Sequence, residues 1–170
     1  MARLLGVAVA ALAFVSTGSA SAQTFASTPG IYTFLGSPIV VQKGNGPVLH
    51  CFLSIDIINI GGVITAENAR LTGYFGLCDT VVLSGDPWPV RVSGPTYIIG
   101  DSLSSPSWVY VDTAITPGDC MGTVPAVYDI TYPADSLVIN FGFSTSPIPS
   151  TLPQVAGGGD CKIDGVITWP

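Results

Sequence analysis

The sequence predicts an all-β protein: an antiparallel β-sandwich or barrel-like single domain with about ten short strands and two disulfides. Three observations lead to this prediction. Apolar residues nowhere keep the three-four spacing of a helix for three turns after the first residues, and 14 prolines and 20 glycines are spread along the chain. Short segments rich in β-branched residues alternate with turn dipeptides. Four cysteines are available for the disulfides.

The first 22 residues have the features of a signal peptide. Arg3 precedes an apolar run over 4–15, and small polar residues follow it. Residues 20–22 read Ala-Ser-Ala, the form that signal peptidase accepts, so we expect cleavage before Gln23. The apolar run is too short to span about 30 Å of hydrocarbon, and we predict no transmembrane span in the mature form. Residues 23–170 are then a single β domain of a secreted bacterial protein, extracellular and either released or associated with the cell surface.

The best-defined strand pair is a hairpin near the middle of the chain. Residues 52–60 place apolar and polar side chains on opposite faces of a strand. Gly61 and Gly62 follow, and this glycine pair favours a two-residue hairpin turn of the primed type. The return strand is predicted over 63–75, with a bulge near residues 67–68.

Further short strands are predicted between turn dipeptides. Their ranges are 31–34, 39–42, 80–83, 90–92, 97–99, 108–115, 126–131, 137–143 and 163–169. Residues 144–159 are rich in proline and glycine and are predicted to form a long loop before the last strand. The segment 23–42 is predicted to be extended, and in an assembly to act as a donor strand that completes a neighbour's sheet.

The cysteines are Cys51, Cys78, Cys120 and Cys161. Export favours two disulfides over a zinc site or a catalytic thiol, and a zinc site would show closer cysteine pairs. Three pairings are possible. The pairing of Cys51 with Cys78 and of Cys120 with Cys161 is favoured because the hairpin turn brings the first two near each other. A bulge or a short extension is needed to correct the strand register.

Charge and composition exclude several classes of partner. The formal net charge is −6, and only 9% of residues are charged. Nucleic acid is not expected as a partner, since phosphate binding needs clustered Lys and Arg, and an anionic membrane is disfavoured for the same reason. The mean hydropathy is positive. This composition fits a protein that contacts hydrophobic surfaces, cell surfaces or further copies of itself.

The residues give no catalytic set, metal site or cofactor site. The only histidine is His50, and no Gly-x-Ser-x-Gly elbow is present to supply a serine nucleophile for a Ser-His-Asp site. Glu67 is the only glutamate, and the ten aspartates are spread over turns without the pairing that glycosidase chemistry needs. No closely spaced run of aspartates is present for calcium. A looser calcium site from Asp101, Asp119 or Asp160 is the alternative. We therefore predict a protein that is not an enzyme and has no cofactor.

Aromatic residues are the candidates for ligand or surface contact. Trp88 lies between two prolines, and Trp108 is followed two residues later by Tyr110. Tryptophan and tyrosine stack on sugars or contact hydrocarbon when exposed, and fill cores when buried. For Trp88 the structural role is favoured.

Several short motifs carry a resemblance to a known family. The matching residues are Cys51 at the start of a strand, Leu71-Thr72-Gly73 before Leu77-Cys78, Pro87-Trp88-Pro89-Val90, Cys120, and Cys161-Lys162-Ile163-Asp164-Gly165 with the terminal Pro170. In their order and spacing the chain resembles the PraB-like proteins, or alkane oxidation protein activators, from about residue 31 onward. The chain departs from that pattern at Asp86, where an apolar residue is expected.

The resemblance implies a protein without catalytic residues that acts outside the cell. Its expected roles are hydrocarbon uptake or emulsification, adhesion and biofilm formation. Self-assembly into a polymer is a further expectation, which rests on the low charge, the positive mean hydropathy and the apolar strands. The competing hypothesis is a small carbohydrate-binding module that uses Trp88, Trp108 and nearby tyrosines as a stacking surface.

Overall fold

The computed structural model describes residues 27–101, 107–114, 116, 118–129, 136–139, 151–152 and 159–169. These residues form twelve strands and two short 3-10 turns, which confirms the predicted all-β class. The strands are β1 Gly30–Lys43, β2 Leu49–Ile60, β3 Val63–Thr72, β4 Val81–Ser84, β5 Trp88–Ser93, β6 Thr96–Ile99, β7 Val109–Thr113, β8 Cys120–Gly122, β9 Val124–Asp129, β10 Ser136–Ile139, β11 Thr151–Leu152 and β12 Cys161–Thr168. The predicted signal peptide over 1–22 lies outside the described residues, as does most of the predicted loop over 144–159.

The larger sheet contains nine antiparallel strands and curls back on itself. Its order is β1-β2-β3-β5-β6-β9-β10-β12-β11, and β1 also pairs with β12. That last pairing runs from Leu35 opposite Thr168 to Lys43 opposite Cys161. Because β1 is bonded to β2 on one side and to β12 on the other, the part of the predicted donor segment that begins at Gly30 lies inside the chain's own sheet.

A smaller sheet of three strands, in the order β4-β7-β8, covers the inside of the curled sheet. Its central strand β7 alternates strictly: Val109 and Val111 are buried while Tyr110 and Asp112 face outward. The buried valines line a small apolar cavity together with Leu53 and other side chains of the larger sheet. Burial of apolar side chains between the two sheets is therefore what holds them together.

Strand boundaries differ from the prediction at several places, and the strands β8 and β11 were not predicted. β11 lies inside the predicted loop over 144–159, where its two residues pair with β12. Two other differences have an identifiable cause. The predicted strands 31–34 and 39–42 are one strand, β1, with a register shift between Gly36 and Ile39. A side chain at Gly36 would place its Cβ 2.6 Å from the Cγ2 of Ile167, so only glycine permits this close approach of β1 to β12. The predicted return strand 63–75 ends earlier, at Thr72, because a 3-10 turn begins at Tyr74.

The central hairpin forms as the alternation predicts. Gly61 and Gly62 both have positive φ angles, 61° and 86°, as a primed turn requires. The predicted bulge is also present, since the β2–β3 register shifts between Ser54 and Asp56 and Asn68 on the opposite strand has a φ of 54°. Among the residues that the structure describes, no helix is long and apolar enough to cross a membrane.

Candidate functional site

The two disulfides fix the geometry around the candidate site. Cys51 is joined to Cys78 and Cys120 to Cys161, with Cα–Cα distances of 5.7 and 6.0 Å. These are the pairings that the sequence favours. Next to the first disulfide, Phe52 lies opposite Thr72, the last residue of β3, so Cys78 is six residues beyond the end of the hairpin. The chain continues past the hairpin and then returns to bring Cys78 beside Cys51. The register difference is thus corrected by a short extension.

That extension is an exposed aromatic turn. We define the aromatic end of the molecule as Phe52 together with Tyr74, Phe75 and Leu77, all of which are exposed. Phe75 is 97% exposed, and the rings of Phe52 and Tyr74 meet edge to face with centroids 5.9 Å apart. Neighbouring exposed apolar side chains are typical of surfaces that contact a partner, so the aromatic end is a candidate contact surface.

The backbone of the aromatic turn is held in an unusual conformation. Phe75 has a φ of 65°, a left-handed value that bulky side chains rarely adopt. On one side the turn is closed by the Cys51–Cys78 disulfide. On the other side the Thr80 hydroxyl and the Thr80 backbone N–H both donate to the carbonyl oxygen of Leu77, at 2.7 and 3.2 Å. These restraints hold Phe75 outward, away from the core.

Gly73 allows the disulfide to close beneath the turn. A Cβ at this position would lie 2.6 Å from the Sγ of Cys78. Beside the turn, an open groove on the outer face of the larger sheet is lined by Leu35 and Phe52 and flanked by Arg70 and Thr168. The aromatic end is therefore a projecting tip with a shallow, partly apolar groove next to it.

Trp88 is buried, in agreement with the structural role that the sequence favours for it. Its side chain is 1% exposed and lies in the core between the two sheets. Its indole Nε1 donates to the carbonyl oxygen of Ser84 at 3.2 Å, which satisfies the only polar group of the ring. A buried ring cannot stack on a ligand, so Trp88 has the structural role that the two flanking prolines favoured.

Trp108 and Tyr110 are both exposed on the smaller sheet. Their exposed fractions are 42% and 44%, and they lie two residues apart along β7 and its approach. Val82, on the neighbouring strand opposite Asp112, is also exposed. This pair stays a candidate contact surface, and it is separate in sequence and in sheet from the aromatic end.

Sequence reasoning missed the aromatic end. The return strand was predicted to continue through Tyr74 and Phe75, which would have given these rings ordinary strand positions. The signal that identifies them is the order Gly73-Tyr74-Phe75-Gly76, since two glycines enclose the aromatic pair directly before Cys78. Glycines on both sides of an apolar pair favour a turn over a strand.

The titratable residues form no catalytic or metal-binding cluster in the described parts of the chain. No three of the His, Cys, Asp and Glu side chains placed there are close enough to hold a metal ion. His50 is exposed at the start of β2. The carboxylate of Asp101 forms an ion pair with the guanidinium of Arg91, at a distance of 2.6 Å. The aromatic end is therefore the strongest candidate for function.

Comparisons with known proteins give one match. No curated protein and no solved structure matches the chain at a significant level. The family described as alkane oxidation protein activator, PraA/PraB-like, matches residues 1–170. This description names an activator and does not name an enzyme. Because the match spans the whole sequence, the chain belongs to the PraA/PraB-like family of alkane oxidation protein activators.

Proposed function

We infer that this protein acts outside the cytoplasm, without catalysis, by contacting liquid hydrocarbon through its aromatic end. The observation that carries the proposal is Phe75, a phenylalanine held almost fully exposed on an anchored turn. The family description supports alkane as the apolar phase. Adhesion to apolar surfaces and retention in a biofilm matrix are expected consequences of the same contact.

The shape of the aromatic end favours a fluid apolar phase. Phe75 projects from the turn, so its ring can be buried on all sides only by a partner that adapts to its shape. A liquid alkane surface provides this without a shaped pocket. Burying a phenylalanine side chain contributes about 1.5–3 kcal/mol, so each ring is expected to strengthen adsorption by about tenfold or more.

Compartment and charge agree with this proposal. Two disulfides are typical of proteins that work in an oxidising environment outside the cytoplasm. With only 9% charged residues, few hydrated groups need to be kept away from an apolar liquid. We therefore propose that the protein is secreted and is either released or kept at the cell surface.

The direct test is Phe75→Asn. Asparagine tolerates a positive φ, so the turn and the free energy of unfolding should be preserved while the ring is lost. Binding to hexadecane droplets, measured as protein depleted from the aqueous phase, is expected to weaken by about tenfold or more.

Val92→Asn is the matched control, because Val92 is an exposed apolar residue on β5, outside the aromatic end. Its droplet binding should stay within about twofold of wild type, as its contact contributes little. If Phe75→Asn and Val92→Asn bind droplets equally well, the aromatic end is not the contact site.

Carbohydrate binding is the second candidate function, favoured by the exposed pair Trp108 and Tyr110 on one face of the smaller sheet. If this face stacks on sugars, Trp108→Ala with Tyr110→Ala should weaken binding to an insoluble polysaccharide such as cellulose or chitin by roughly tenfold. Hexadecane binding should be unchanged in the same variant. Wild-type protein that binds neither polysaccharide would remove this candidate.

A further inference from the structure

A second apolar cluster lies at the other end of the β2–β3 hairpin. We define the isoleucine end as Ile31, Ile58, Ile60 and Val63. Ile31 lies directly opposite Ile58, and Ile60 directly opposite Val63, all on the outer face of the sheet. Ile31, Ile60 and Val63 are 68%, 73% and 67% exposed. The hairpin turn at this end is bare, since nothing lies within 4 Å of a Cβ built on Gly61 or Gly62.

The two apolar ends are well separated along one stiff strand. Phe52 and Ile60 belong to the same outer face of β2, and eight residues at about 3.3 Å per residue place them roughly 26 Å apart. β2 is bonded to β1 and to β3 along most of its length, so the separation is fixed by the sheet.

A polar belt crosses the same face between the two ends. It consists of Thr33, Asp56, Glu67 and Asn68. The Asp56 carboxylate accepts hydrogen bonds from the Thr33 hydroxyl at 2.6 Å and from the Asn68 side-chain amide at 2.9 Å. Glu67 lies directly opposite Asp56 and accepts from the Thr65 hydroxyl at 3.1 Å. Two carboxylates thus lie side by side at the middle of the face.

The polar belt prevents this face from lying flat on an apolar liquid. Flat contact would remove water from Asp56 and Glu67, and burying carboxylates in hydrocarbon is strongly unfavourable. Contact through either end alone keeps the belt in water. Each end can therefore meet an apolar phase without the other, and the two clusters lie at opposite ends of β2.

We propose that the isoleucine end is a second hydrocarbon contact, so that one molecule bridges two alkane droplets. This inference rests on the proposed function of the aromatic end. Liquid alkane is the occupant because the cluster is aliphatic and surrounds a projecting turn. A second copy of the chain is a poorer occupant, since four side chains cover much less than the roughly 1,200 Å² that specific protein interfaces bury.

The test measures clustering of hexadecane droplets at about 0.15 M salt, where charge repulsion is screened beyond about 8 Å. Protein is added from sparse to saturating coverage, bound protein is measured by depletion, and droplets per cluster are counted by microscopy. Wild type should cluster droplets at partial coverage. The clusters should disperse at saturation, because no bare alkane surface is then left for the second contact.

The decisive variant is Ile60→Thr with Val63→Thr, which keeps β-branched residues on the strands while removing apolar groups. At equal bound protein it should form at least fivefold fewer clusters than wild type. Val82→Thr with Val92→Thr changes two exposed valines elsewhere and should cluster droplets as wild type does.

Three results would overturn the bridging proposal. The first is an Ile60→Thr, Val63→Thr variant that clusters droplets as well as wild type. The second is wild type that binds droplets without clustering them at any coverage. The third is clustering that continues to grow at saturation, which would indicate contact between two protein copies. Wild type that does not bind droplets at all would instead overturn the proposed function, and this inference with it.

Discussion

Replacing Trp88 with alanine is expected to lower the free energy of unfolding by about 3–5 kcal/mol. Trp88 begins β5, lies opposite Ala66 of β3, and fills the space between the curled sheet and the smaller sheet. The substitution removes the largest of the fully buried side chains in the described core and leaves a cavity. Surrounding strands cannot collapse into it, because each is held by hydrogen bonds to its neighbours.

Urea unfolding followed by circular dichroism measures this loss. Trp108→Ala is the matched control, since the same residue type is removed from a position that is 42% exposed. Its effect should stay below about 1 kcal/mol, as is usual for surface positions. Equal losses for the two variants would contradict the core role of Trp88.

The parts of the fold that sequence predicts are those fixed by local pattern. The alternation over residues 52–60 and the glycine pair that follows specify a hairpin without reference to the rest of the chain. The first disulfide follows from that hairpin, because the turn itself brings Cys51 near Cys78. Both features depend on residues that are close in sequence.

Closure of the sheet depends on distant residues and could not be predicted. The pairing of Leu35 with Thr168 joins segments more than a hundred residues apart, and alternation states only which face of a strand is apolar. The flanking prolines favour a structural role for Trp88, but the strands that cover it could not be predicted, since β7 and β8 of the smaller sheet come from later in the chain.

The aromatic end was missed for a different reason. Strand propensity favours tyrosine and phenylalanine, so Tyr74 and Phe75 were predicted to extend β3. The disulfide overrides that preference, because Cys78 must return to Cys51 and the chain has only a few residues in which to turn. The Cys51–Cys78 bond therefore decides the local conformation of Tyr74 and Phe75, and with it the position of the candidate site.

Removing the Cys120–Cys161 disulfide by replacing both residues with alanine is expected to lower the free energy of unfolding by about 4 kcal/mol. The bond closes a loop with a sequence separation of 41, and loop-closure entropy gives this magnitude. It also joins β8, a strand of three residues, to β12 of the curled sheet. Alanine is used because both cysteines are buried, and a serine hydroxyl would need a hydrogen-bond partner there.

Removing the Cys51–Cys78 disulfide in the same way should cost slightly less stability, about 3.5 kcal/mol, for the shorter separation of 27. The two variants should differ more in hydrocarbon binding. Without Cys51–Cys78 the aromatic turn loses one of its two anchors, so ordering Phe75 at the droplet surface costs conformational entropy. Droplet binding should therefore weaken, even at a temperature where the variant stays folded. Without Cys120–Cys161 the turn keeps both anchors, and droplet binding per folded molecule should match wild type. Equal loss of droplet binding in both variants would mean that the first disulfide does not position the aromatic end.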